Sequence, residues 1–170
     1  MALIKPYKGR FPKIDPSVFL AENAVIIGDV EIKKDSSVWY SVVIRGDVNY
    51  IRIGERTNIQ DGTIIHVDHE KHPTIIGNEV TVGHNVTLHA CTVEDRCLIG
   101  MSSTIMDAVI VETGSIVAAG ALVTPGKIIK SGTLWAGVPA KYIRDLTQKE
   151  KDWLEKSYKN YVKYKNSYIY

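Results

Sequence analysis

The sequence has few cysteines, no long apolar segment and no excess of charge of one sign, and each absence argues against a class of protein. Only Cys91 and Cys97 are present in 170 residues, so neither a disulfide framework nor a C-x2-C metal pair is predicted. No window reaches ~18 consecutive apolar residues and no signal peptide is recognisable, so we expect no membrane partner and a cytoplasmic location. The 21 Lys and Arg balance 19 Asp and Glu without long runs, which predicts no nucleic-acid partner.

What the sequence does have is a period of six. A hexapeptide unit with two inward side chains describes a short strand and a corner, and three units close a triangular coil of about 18 residues. The sequence therefore predicts an all-β solenoid, a parallel β-helix. The aliphatic residues that define the period are Ile26, Ile32, Val38, Ile44, Ile53, Ile59, Ile65, Ile76, Val82, Leu88, Val93, Ile99, Ile105, Val111, Val117 and Val123.

The ends of the chain depart from this repeat, within what we expect to be a single domain over residues 1–170. Residues 1–23 repeat poorly and contain three prolines, so they are interpreted as a cap on the β-helix of residues 24–140. A T-x-x-E capping box then predicts a C-terminal α-helix over residues 147–164, packed along the outside of the β-helix.

Two histidines and an arginine are predicted to stack on one face. Residues 67–73, VDHEKHP, exceed the period and are interpreted as a corner loop. With that insertion set aside, one column of inward residues contains Ile44, Ile65 and Leu88. Each is followed directly by a polar residue that should point outward, namely Arg45, His66 and His89.

A third histidine falls on a neighbouring column. His84 belongs there together with Gln60 and Asp61, one corner away from His66 and His89. Groups on different faces of a straight prism cannot easily reach one atom within a single chain. A neighbouring chain could supply one of them, because three prisms around a threefold axis bring different faces together. The sequence therefore favours a homotrimer with sites between subunits.

Catalytic zinc can be bound by three neutral imidazoles, with its fourth position open to a water molecule. The metal lowers the pKa of that water to about 7. Cobalt or ferrous iron would accept the same ligands. Arg45, Asp47 and Gln60 could orient that water or the anion it makes. His69 and His72, in the corner loop, are expected to be exposed to solvent.

Three ordered motifs, WYSVVIRGD (39–47), NIQDGTIIH (58–66) and GHNVTLH (83–89), resemble the γ-class carbonic anhydrase family, in particular its shorter bacterial members. The resemblance covers nearly the whole chain. It implies a left-handed β-helix, a homotrimer with zinc at each subunit interface, and a lyase that converts carbon dioxide to bicarbonate. The handedness does not follow from the period, and it runs against the general rule for crossovers.

The resemblance also implies roles for single residues. His66 and His89 would bind zinc from one subunit, and His84 would bind it from the neighbour. Arg45 and Asp47 would form an ion pair across the interface.

Three further residues carry roles by the same resemblance. Gln60 would hydrogen-bond the zinc-bound water, Asp61 would support that network, and Tyr161, in NYVKYK, resembles a helix tyrosine that approaches the zinc. The corner loop is short, and neither Asp68 nor Glu70 aligns with the acidic residues that shuttle protons in fully active members. Slow turnover is therefore expected, because each cycle must export a proton.

Two other functions stay open on the sequence alone. The segment AGVPAKYIR (136–144) resembles the one that follows the repeat in acyl-CoA-dependent transferases, which suggests an acyltransferase or, with the metal retained, an acyl-thioesterase. A non-catalytic metal-binding homologue is the third possibility.

Overall fold

The computed structural model describes residues 1–168, which form a parallel β-solenoid of about seven turns with one C-terminal helix. The predicted solenoid of hexapeptide repeats with a terminal helix is confirmed. The strands are β1 Leu3–Lys5, β2 Lys13–Ile14, β3 Phe19–Leu20, β4 Val25–Ile32, β5 Ser37–Val38, β6 Val43–Ile53, β7 Asn58–Ile59, β8 Ile64–His66, β9 Thr74–Ile76, β10 Thr81–Val82, β11 Thr87–His89, β12 Thr92–Val93, β13 Leu98–Ile99, β14 Thr104–Ile105, β15 Ile110–Val111, β16 Ile116–Val117, β17 Leu122–Val123, β18 Ile128–Ile129, β19 Thr133–Ala136 and β20 Lys141–Asp145; the helix α1 is Gln148–Tyr168.

Strands of successive coils stack in parallel register along three faces. The first face contains the beginnings of β4 and β6, followed by β8, β11, β14 and β17. The second face contains the ends of β4 and β6, followed by β9, β12, β15 and β18. The third face contains β3, β5, β7, β10, β13, β16 and β19, and β20 pairs with β19 in the antiparallel sense. Because β4 and β6 continue around one corner, the first two faces form a single sheet.

The predicted aliphatic columns form the core. Ile44 aligns with Ile65, and Ile65 aligns with Leu88, as the column assignment predicted. All three side chains are fully buried. Each such side chain stabilises the fold by about 1.5–3 kcal/mol when buried. A continuous apolar column therefore holds each prism together.

The second inward side chain of each hexapeptide is expected four residues after the first, which predicts inward positions for Val48, after Ile44, and for Thr92, after Leu88. Both predictions are wrong, and both positions lie at the corner between the first and second faces. Val48 is 40% exposed, because β6 carries extra residues at this corner and its register against β4 shifts there. In a later coil only five positions separate Leu88 from Val93, so the corner is short by one residue. That shortening turns Cys91 into the core and leaves Thr92 outside.

Glycines at the corners are explained by close approach of the backbone. A Cβ atom at Gly54 would lie 2.5 Å from the carbonyl carbon of Gly77, and one at Gly100 would lie 2.4 Å from the amide nitrogen of Ala119. Only a residue without a side chain fits there. Left-handed φ angles fall on other corner residues, such as Arg56 with φ 53°.

The helix covers part of the third face. Its capping box forms as predicted: the Thr147 amide donates to Glu150 Oε2 at 2.9 Å, and the Glu150 amide donates to Thr147 Oγ1 at 3.3 Å. The helix packs against β3, β5, β7 and β10 and buries Leu154 and Tyr158. It continues to Tyr168, beyond the predicted end at residue 164.

At the opposite end of the chain, β1 and β2 pair with β4, and β3 pairs with β5. Residues 1–23 thus make an irregular first coil of the stack. Across residues 1–168 no helix has both the length and the apolar character that crossing a bilayer requires.

Candidate metal centre

Two histidines meet at the corner between the first and second faces. His66 ends β8, His89 ends β11, and the two residues are register partners on adjacent strands. The Nδ1 atom of His66 lies 3.2 Å from the Nε2 atom of His89. Stacking of consecutive coils therefore brings two imidazole nitrogens within reach of one ion.

The other nitrogen of each ring faces a carboxylate. His66 Nε2 lies 3.0 Å from Asp47 Oδ1, and His89 Nδ1 lies 2.5 Å from Asp107 Oδ1. An ionised carboxylate can only accept hydrogen bonds, so the ring nitrogen that faces it carries the proton. The neutral ring then has its lone pair on the remaining nitrogen. These remaining nitrogens are the two atoms that lie 3.2 Å apart.

Two lone pairs at this distance cannot hydrogen-bond to each other, but both can bind a cation. Tetrahedral zinc with Zn–N distances near 2.0–2.1 Å holds two ligand nitrogens about 3.3 Å apart. The observed 3.2 Å separation matches that spacing. Imidazoles supported by carboxylates are also the usual surroundings of zinc. The donor set therefore fits zinc.

Arg45 keeps Asp47 ionised. Arg45 forms an ion pair with Asp47 on the same chain, and Asp47 also contacts His66. Partial burial raises the pKa of Asp47, but hydrogen bonds from Arg45 and His66, together with the Arg45 charge, hold it below its ordinary value. The resemblance implies an Arg45–Asp47 pair across a subunit interface, whereas the pair described here lies within one chain. The intersubunit pair stays a prediction.

His84 lies at a different corner, between the third and first faces. It follows β10, and its Nδ1 atom is 2.9 Å from Asp61 Oδ2, which leaves Nε2 as the lone-pair nitrogen. Five residues lead from His84 along the first face to His89, a span on the order of 15 Å at the rise of a β-strand. Within residues 1–168 of one chain, no three His, Cys, Asp or Glu residues form a group that could hold a metal ion.

Gln60 and Tyr161 lie near His84. With His84 they line a largely apolar cavity of about 450 Å³, and Tyr161 and His84 also line a second cavity of about 360 Å³. Gln60 is 5% exposed and donates from Nε2 to Asn58 Oδ1 at 3.1 Å. Tyr161 packs edge-on against Trp39 with ring centroids 5.7 Å apart, and burial raises its pKa, so the phenol keeps its proton.

Sequence reasoning missed Asp107. It lies 18 residues after His89, which is one coil of the β-helix, and that interval was the available signal. In the corner loop, His69 is exposed as expected, and His72 is half-buried. The structure therefore adds one carboxylate to the predicted set.

Comparison with known proteins identifies relatives along the whole chain. A family model for the hexapeptide repeat of succinyl-transferase matches residues 91–125. The chain is 46% identical over 173 residues to Protein YrdA of Escherichia coli, which covers 98% of this chain and 94% of YrdA. It is 49% identical over 160 residues to a carbonic anhydrase of Geobacillus kaustophilus, and the match covers 94% of this chain and 87% of that relative. It is also 49% identical over 158 residues to the mitochondrial gamma carbonic anhydrase 2 of Arabidopsis thaliana, but spans only 57% of that protein's length.

Solved structures show the same fold. A hexapeptide transferase family protein from Anaplasma phagocytophilum superposes with a TM-score of 0.95 at 48% identity, with 98% of each chain covered. That protein is described as a transferase, whereas the Geobacillus and Arabidopsis relatives are named as carbonic anhydrases. Identity of this level over most of the chain, together with the three histidine and carboxylate motifs, shows that the chain belongs to the γ-class carbonic anhydrase family, a family of lyases.

Proposed function

We propose that this chain is a zinc enzyme that reversibly hydrates carbon dioxide to bicarbonate, acting in the cytoplasm as a homotrimer. The observation that carries the proposal is the 3.2 Å approach of His66 Nδ1 and His89 Nε2, each on a ring whose other nitrogen faces a carboxylate. Family membership supports the same reaction.

The third ligand in this proposal is His84 of a neighbouring subunit. Two observations support this assignment. His84 lies at another corner of the solenoid, and its Nδ1 atom contacts Asp61, which leaves Nε2 free to bind the metal. A trimer would place this corner against the His66–His89 corner of the next subunit. One site then forms at each of three interfaces.

When bound, zinc supplies a Lewis acid that makes water nucleophilic near neutral pH. The chain's own residues orient the histidine rings and shape the space beside them. Asp61 and Asp47 hold the rings of His84 and His66, and Arg45 places positive charge near the position where an anionic product forms. The Gln60 amide, which lines the same cavity as His84, is suited to hydrogen-bond the attacking oxygen. The apolar cavity wall beside it suits carbon dioxide, which has no charge.

The test combines metal analysis with a rate. We expect about one zinc per chain in the purified protein, which is the usual content of a three-histidine site, and carbon dioxide hydration under reducing or oxidising conditions. His66→Ala should lose both, and His69→Ala, which removes an exposed loop histidine, should keep both. The close approach of His66 Nδ1 and His89 Nε2 could also be explained by a proton shared between the two rings. Metal analysis distinguishes this explanation from a bound zinc ion. Wild-type protein no faster than His66→Ala would refute the proposal.

Acyl transfer or thioester hydrolysis is the second candidate, and the cavity favours it. About 450 Å³ lined by Leu98, Ile116 and Leu134 is more space than carbon dioxide requires. Turnover of an acyl-CoA panel by metal-free protein would indicate a transferase, and turnover only with stoichiometric zinc would indicate a thioesterase. Tight zinc binding without turnover on any of these substrates would indicate a non-catalytic homologue.

A further inference from the structure

Each of the three histidines has one ring nitrogen in contact with an aspartate carboxylate. Two of these carboxylates belong to the sequence motifs that carry the family resemblance, but the third lies outside all of them. The three pairs are Asp47 with His66, Asp61 with His84, and Asp107 with His89.

The backbone fixes Asp107 beside His89. Strand β14 stacks on β11, so Asp107 follows its strand at the same corner, one coil further along. The Ala108 amide donates to the Ala90 carbonyl at 2.8 Å, and the Gly126 amide donates to the Asp107 carbonyl at 2.9 Å. Hydrogen bonds to the coils on both sides therefore hold this corner in place. The side chain reaches back to His89 Nδ1 at 2.5 Å.

We propose that Asp107 is a positioning residue for the metal centre, which keeps the proton of His89 on Nδ1 and presents Nε2 to the ion. The inference rests on the proposed zinc site. Its physical basis is that a carboxylate accepts hydrogen bonds and cannot donate them, so it selects one tautomer and one ring orientation. Asparagine has nearly the same shape but can donate or accept, so it removes that selection.

The experiment compares Asp107→Asn with Asp152→Asn, which changes an exposed carboxylate on α1 whose partner is Gln148. Zinc affinity is measured by competition with a chromophoric chelator. We expect Asp107→Asn to bind zinc about 10–100-fold more weakly than wild type, the usual loss on removing such a partner, and Asp152→Asn to match wild type.

A second measurement does not need the metal. Nitrogen-15 spectra of zinc-free protein with labelled histidine report which ring nitrogen carries the proton. His89 should show protonated Nδ1 in wild type and in Asp152→Asn, and a mixture of tautomers in Asp107→Asn. Asp107→Ala, checked for folding by circular dichroism, should show the same mixture.

Equal zinc affinity in Asp107→Asn and Asp152→Asn would overturn the inference, and so would an unchanged His89 tautomer. Wild-type protein that binds no zinc would overturn the proposed function and, with it, any metal role for Asp107. The tautomer spectra would still show in that case whether the Asp107–His89 contact exists, so the two failures are distinguishable.

Discussion

The Nδ1 atom of His84 lies 2.9 Å from Asp61 Oδ2, at a different corner of the β-helix from His66 and His89. Each of the three rings contacts a carboxylate of its own chain. The first face of the solenoid separates His84 from the His66–His89 pair. We therefore propose that a complete site of three imidazoles takes its histidines from two chains.

Mixed trimers test this division. Neither His84→Ala alone nor a His66→Ala, His89→Ala double variant should hold zinc in a complete site. Refolded together, they should regain part of the zinc and activity, because an intact His66–His89 pair meets an intact His84 across some interfaces. Zinc content at the background of the separate variants would contradict the intersubunit site. Wild-type protein carried through the same refolding is the control.

Removal of zinc should abolish activity and leave the fold in place. The apolar columns are buried within each chain and do not involve the histidines. Circular dichroism after dialysis against a chelator should keep the β signal, and re-addition of zinc should restore activity. Complete unfolding on chelation would show that the metal is required for folding.

Adjacent isoleucines on β18 provide a matched test of the core. Ile129 is fully buried and Ile128 is 45% exposed. Ile129→Ala should lower the free energy of unfolding by about 2–5 kcal/mol, since it leaves a cavity. Ile128→Ala should change it by no more than about 0.5 kcal/mol. Urea unfolding measures both, and similar losses at the two positions would contradict the assigned inward face.

The helix cap should give a pH-dependent contribution to stability. Hydrogen bonds from Arg144 and from the Thr147 amide and hydroxyl lower the pKa of Glu150 from 4.5 to about 2. Because the pKa is lower in the folded state, the stabilisation is complete above about pH 4.5 and is lost as the pH falls towards 2. The difference in melting temperature between wild type and Glu150→Gln should close over that interval. A difference that does not change with pH would show that the charge contributes nothing.

The two thiols should be unreactive in the folded protein. Cys91 and Cys97 are both buried, and burial raises the pKa of each to about 12. Since the thiolate is the reactive form, iodoacetamide at pH 8 should label neither residue in the native state and both in urea. Mass spectrometry counts the labels, and rapid labelling of native protein would contradict the burial.

The sequence by itself determined the repeating part of the fold. A period of six with inward aliphatic residues is a local pattern, so counting by coils aligned Ile44, Ile65 and Leu88 and placed His66 beside His89. The capping box likewise fixed the start of α1, because Thr147 and Glu150 satisfy each other within one turn. The coil handedness followed from the family resemblance and not from the period. The trimer, which stays a prediction, was inferred from the separate columns of His84 and the His66–His89 pair as well as from the resemblance.

Only the tertiary structure decided the contacts at the corners. Asp107 contacts His89, and Cys91 turns inward in place of Thr92, where a coil is one residue short. Arg45 reaches Asp47 on its own chain where β6 carries extra residues. The physical reason is the same at each position. Strand stacking fixes the register of inward side chains, whereas the direction of a corner side chain depends on the length and φ angles of that corner, which the hexapeptide period does not specify.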